Sequence, residues 1–211
     1  MKKDNLRIDN VLDKSLKGWL PVKDITGKDY KLFYSTSVEK TKSKKYLIVT
    51  EGEAKNKTVS IEYHKIHPNL FSNYYSNDIS IESNCRIVVA IKERKLYYRP
   101  KKDEFCEIYI GVQDLDYGVY KILLPTKKTD KVVSTNYINE HNGGSRFAET
   151  WFPFMKDRFE ERYIHFGTYS RGCVTVVHGQ TDAWNNLYLY LIKSRKVNNI
   201  IGDLIVIDEL K

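Results

Sequence analysis

Short runs of β-branched and aromatic residues, each closed by a turn former or a charged cluster, recur along almost the whole chain, and a helical period is found near its C-terminal end alone. Residues 19–22 and 30–34 read as brief strands around the turn at 26–29, and 45–50 and 58–63 as a hairpin across the polar 51–57. Residues 85–91 form an apolar run fit for a central strand, followed across a charged turn by 95–99. In 105–112 the pattern alternates, with Phe105, Glu107 and Tyr109 on one side and Cys106, Ile108 and Ile110 on the other. Residues 117–125 make a further strand that Pro125 stops, and 203–208 close the chain as the last. Between them, Asp182 is placed to cap a helix in which Trp184, Leu187, Tyr188, Leu191 and Ile192 recur on one face, with Lys193, Arg195 and Lys196 at its C-terminal end. The fold class expected is therefore mainly β, a sandwich-like or barrel-like assembly with one or two helices.

The turn-rich stretch 64–78 reads as a connector. It divides a β-rich N-terminal extension, residues 1–78, from a larger unit, residues 79–211. Residues 127–144, polar and rich in Asn and Gly, are long enough to serve as a lid or binding loop.

Thirty-five Lys and Arg against 27 Asp and Glu leave a net charge of +8, scattered apart from short clusters at 40–45 and 127–131. That scatter describes a solvated cationic surface rather than the gathered footprint of a nucleic-acid binder, and it also suits the anionic polymers of a bacterial envelope. No apolar run approaches the length of a membrane span, and residues 1–7 lack the apolar segment of a secretion signal. His64 and His67 have no further ligand nearby and Pro68 opposes the helix their spacing would need, so neither a metal nor any other cofactor is expected. Of the three cysteines, Cys85 and Cys106 would be the pair to bridge in an oxidising compartment, leaving Cys173 free; in a reducing one they would be buried thiols.

The stretch 163–176 gathers the residues that carry chemistry: His165, Gly167, Ser170, Gly172 and Cys173, with β-formers on both sides. A thiol attacks as thiolate, and a neighbouring imidazole can take its proton and return it during acyl transfer. A tight turn through Thr168 to Arg171 would bring His165 and Cys173 face to face, and Gly172 would let backbone N–H groups form an oxyanion hole beside the nucleophile. Ser170 would bond His165 or shape the turn. His178 is the lesser candidate for the base, and His141 lies in the polar loop. Trp151, Phe152 and Tyr169 would line a pocket or simply pack against the core.

His165-Phe166-Gly167-Thr168 followed by Ser170-Arg171-Gly172-Cys173-Val174 resembles the signature of the L,D-transpeptidase catalytic domain, the YkuD-like family. The likeness extends to 116–122, similar to that family's glycine-containing strand, to the aromatic-proline segment 150–154, to the helix led by Trp184 and to the last strand at Gly202, so it covers residue 79 onward. It implies Cys173 as acylated nucleophile, His165 as base with Ser170 beside it, and an oxyanion hole around Gly172 and Gly167. Arg171, Trp151, Tyr169 and Thr175 would contact substrate. The substrate implied is a peptidoglycan stem peptide, cut or cross-linked through a thioester in the periplasm or envelope as an L,D-transpeptidase or L,D-carboxypeptidase, or exchanged with a D-amino acid.

Two departures stand out: the segment from His165 to Cys173 is short, and Thr175 occupies the place where the family usually has arginine. They resemble the family's divergent branch of antibacterial effectors delivered by type VI secretion, for which an immunity protein would be the partner. Two other readings are a non-catalytic module holding wall polymers or a partner protein, and a cysteine protease or amidase acting on another peptide.

Overall fold

In the computed structural model, residues 6–13, 16–43, 45–61, 74–77, 79, 85–98, 105–110, 115–126, 129, 137–156, 162–168, 170, 172–196 and 199–210 are described. The chain divides into two compact units, Met1–Ser80 and Ile81–Lys211. It is mainly β, as expected.

In the first unit, strands β1 (Leu6–Ile8), β2 (Trp19–Asp24), β3 (Asp29–Phe33), β4 (Ser37–Lys40), β5 (Leu47–Val49), β6 (Thr58–Ser60) and β7 (Tyr75–Ser76) form one sheet in the order β3-β2-β6-β5-β4-β1-β7. Alternation puts Leu20 and Val22 on one buried face of β2, and Trp19, Val38, Leu47, Val49 and Val59 are buried as well. The turn between β2 and β3 is held by the Asp24 carboxylate, which accepts from Thr26 N, Thr26 Oγ1 and Lys28 N. The hairpin expected of 45–50 and 58–63 is the antiparallel pair β5–β6, with Leu47 beside Val59.

The second unit contains β8 (Cys85–Ala90), β9 (Lys95–Tyr98), β10 (Phe105–Ile110), β11 (Gly118–Leu123), β12 (Phe152–Met155), β13 (Arg162–Gly167), β14 (Val174–Val177), helix α1 (Thr181–Ile192) and β15 (Ile200–Ile207). The strands close into a barrel in the order β10-β14-β13-β12-β11-β15-β8-β9. All pairs are antiparallel except β13–β14 and β15–β8.

Register sorts the barrel residues into two faces. Phe152, Ile164 and Val174 align across β12, β13 and β14, and Ile122, Gly202 and Cys85 across β11, β15 and β8. These positions, with Phe154, Phe166, Val176, Ile108, Leu96, Ile87 and Leu204, are buried and fill the interior, as an eight-stranded barrel requires. Trp184 and Tyr188 of α1 pack their rings against Phe152 and Phe166, so the apolar face read from the sequence is the one that meets the core. Gly202 is needed for contact: a Cβ there would lie 2.4 Å from the Cys85 carbonyl oxygen on β8.

Details differ from the sequence reading for local reasons. The N-cap of α1 is Gln180, and Asp182 sits in the first turn, where its charge still favours the helix dipole. At the other end Lys193 is the C-cap, while the buried Arg195 donates to the carbonyls of Ile192 and Ser194. The last strand begins at Ile200, before Gly202. Cys85 and Cys106 are buried thiols on strands that β9 separates, and no disulfide joins them. Among the described residues, no helix is long and apolar enough to cross a membrane.

Candidate functional site

β13 and β14 run parallel, and residues 168–173 alone connect them. This is a far shorter return than parallel strands usually need. The geometry is not the face-to-face hairpin that the spacing suggested. In the parallel register His165 lies beside Thr175, and Ile164 beside Val174. Alternation along the paired strands puts His165 and Thr175 on the face opposite Ile164, Phe166, Val174 and Val176, which is the outward face of the barrel. Cys173 lies in the bend just before β14, against the main chain of Tyr163 on β13.

His165 is only 5 % exposed although it stands on the outward face. Trp151, level with it on the β12 side, stacks on the imidazole with centroids 4.2 Å apart and planes 21° from parallel. From the other side Thr175, fully buried, brings Oγ1 to 2.9 Å from Nε2. The remaining nitrogen, Nδ1, is 3.4 Å from the Phe166 carbonyl oxygen. Burial disfavours the imidazolium and pushes the pKa down from 6.5 to about 4, with the Phe166 carbonyl opposing. The ring is therefore neutral at physiological pH.

Cys173 is half-buried. Burial raises its thiol pKa, while a hydrogen bond from the Tyr163 main-chain N–H and the charge of Arg162 act the other way, toward thiolate. Among the described residues no hydrogen bond joins the thiol to the imidazole. Ser170 donates to the Cys173 carbonyl oxygen and so shapes the turn instead of bonding His165. Gly172 has φ +75°, a left-handed conformation suited to glycine, in open surroundings. Tyr169 and Arg171 lie outside the described residues, as do His64 and His67.

The other candidates lie toward the far end of the strand pair. Gly167 carries the ring of Tyr137 against its Cα, and the Tyr137 hydroxyl is 3.1 Å from that of Thr168. His178 follows β14, donates its N–H to the Gly167 carbonyl and packs near Phe166 and Tyr137. It lies five residues beyond Cys173, at the opposite end of β14. The described part of the polar loop, from Tyr137 to Gly144, packs at this end: Gly143 accepts from the Gly179 N–H, and Thr181 Oγ1 donates to the carbonyls of Gly143 and Gly144. His141 is exposed in the 3₁₀ turn Glu140–Asn142. Among the described residues no group of three His, Cys, Asp or Glu side chains is gathered to hold a metal.

Arg162 and the main chain of Tyr163 were not singled out from the sequence. They precede the motif, and only the parallel pairing of β13 with β14 brings them near Cys173. Comparison with protein-family models, with curated proteins and with solved structures finds no match to this chain.

Proposed function

We propose that the barrel unit is a cysteine-dependent acyl-transfer enzyme acting on peptidoglycan stem peptides, as an L,D-transpeptidase or L,D-carboxypeptidase of the periplasm or envelope. The observation that carries this reading is a half-buried thiol held against Tyr163 of β13, two residues from the buried neutral imidazole on the same strand. The likeness of residues 165–174 to the L,D-transpeptidase signature supplies the substrate class.

In this reading both groups are neutral at physiological pH, so proton transfer accompanies attack instead of preceding it. The Cys173 proton passes to His165 as sulfur bonds to the carbonyl carbon that follows the diaminopimelate L-centre of the stem. The C–N bond to the terminal D-alanine breaks, its amine takes the proton back from His165, and a thioester remains on Cys173. Water, a second stem's amine or a free D-amino acid then accepts the acyl group. Contact between thiol and imidazole is completed when substrate binds, through movement of the Cys173 side chain, since catalytic hydrogen bonds often tighten only in the complex. Arg162 supplies positive charge beside the thiol, on β13 rather than from the position of Thr175.

Incubation with purified muropeptides, followed by mass spectrometry, tests the proposal. Loss of D-alanine or formation of cross-linked stems, abolished in Cys173→Ala, is the expected result; unchanged muropeptides from pH 5 to 8 would sink it. A second reading, a wall- or partner-binding module without catalysis, is favoured by the Thr175–Nε2 contact, because it occupies the ring nitrogen a base would use. That module would bind intact wall material equally well with Cys173→Ala.

A further inference from the structure

Thr175 was expected at the substrate, yet it is fully buried and its hydroxyl meets His165. We infer that Thr175 is a positioning residue: its hydroxyl fixes the imidazole of His165 in the tautomer that carries hydrogen on Nδ1 and none on Nε2. The inference rests on the reading of Cys173 as nucleophile and His165 as base.

The two contacts of the ring decide the tautomer. A carbonyl oxygen can only accept, so the Phe166 oxygen 3.4 Å from Nδ1 favours hydrogen on that nitrogen. Nε2 is then bare, and at 2.9 Å it must accept from Thr175 Oγ1–H. The opposite tautomer would set two lone pairs against each other at Nδ1. Three features make the arrangement rigid. Thr175 is β-branched and stiff about χ1. Its backbone is locked in register with His165 on one side and Tyr109 on the other. Trp151 covers one face of the ring, which restrains rotation out of the plane the hydroxyl selects.

The hydroxyl also serves both protonation states without heavy-atom movement. It donates to Nε2 while the ring is neutral; when Nε2 carries hydrogen, the hydroxyl hydrogen swings away and the oxygen accepts from N–H. A hydrogen bond to a charged donor is about twice as strong as a neutral one, so the contact tightens as the imidazolium forms. The position where the resembling family carries arginine thus holds a residue that works on the base, while the local positive charge comes from Arg162.

Side-chain ¹⁵N NMR of histidine-labelled protein, wild type, Thr175→Val and Thr175→Ser, tests this together with muropeptide kinetics. In the wild type and the Ser variant, His165 should show a protonated Nδ1 and a bare Nε2. In Thr175→Val, which keeps the shape and removes the hydroxyl, the tautomers should mix. The kcat should fall about 10- to 100-fold with KM unchanged, the usual scale for losing a partner that orients a functional histidine, and Ser should restore it. Hydrogen on Nε2 in the wild type, or a Val variant with unaltered tautomer, would overturn the inference. If no protein turns over any muropeptide but the Val tautomers mix, the positioning role stands and the stem-peptide reading fails.

Discussion

Acidification from pH 7 to 4.5 should weaken this fold through His165. Its imidazole titrates near 4 in the folded chain against 6.5 when exposed, because burial penalises the charged ring. The unfolded chain therefore binds more protons between those values. The contribution to stability is complete above pH 6.5 and is lost as pH falls through that window toward 4. Applied between pH 7 and pH 4.5, the shift corresponds to about 2 kcal/mol of lost stability. At 5 % exposure, solvent screening does little to reduce it. Urea unfolding of wild type and of His165→Gln at both pH values isolates the effect: carboxylates titrate alike in the two proteins, and glutamine keeps an acceptor for Thr175 without titrating. The wild type should lose about 2 kcal/mol more than the variant. Equal losses in both, or a ring that titrates near 6.5 by NMR, would refute the reasoning from burial.

Removing the stacked ring in Trp151→Ala should let water reach His165 and raise its pKa toward 6.5, read by NMR titration, at a cost of about 1–3 kcal/mol in unfolding. Arg162→Gln should raise the pKa of Cys173, seen as slower alkylation by iodoacetamide near pH 7 with the rate recovered at higher pH. Two glycines should respond differently to alanine. Gly202→Ala drives a Cβ to 2.4 Å from backbone across the β15–β8 pair and should prevent soluble expression, whereas Gly172→Ala meets nothing within 4 Å and should cost only the left-handed strain, about 1–2 kcal/mol in urea unfolding.

Much of the barrel is legible in the sequence because alternation and helical period record burial directly. The runs beginning at Cys85 and Phe105 became β8 and β10, and the face of Trp184, Leu187, Tyr188 and Leu191 became the buried side of α1. Closure of the sheet was not legible, since it depends on which strands pair across long separations, such as β15 with β8. At the site, the residue types were readable and their relation was not. The spacing puts His165 and Cys173 face to face; the parallel register instead sets Thr175 beside His165, with Cys173 in the bend before β14 and against Tyr163. The same register hid Arg162, whose closeness to the thiol no local spacing encodes. Thr175 read as a missing arginine because its sequence position, without the strand offset, says nothing about the ring it would meet.

The central claim is that Cys173 carries the acyl group, and intact-protein mass spectrometry after brief mixing with a tetrapeptide-stem muropeptide addresses it most directly. The account predicts an adduct equal to the donor stem less its terminal D-alanine, mapped to Cys173, released by hydroxylamine as a thioester must be, and absent from Cys173→Ala. It also predicts slower adduct formation in His165→Gln. A wild-type protein that stays at its unmodified mass while releasing D-alanine, or an adduct that persists in Cys173→Ala, would contradict it.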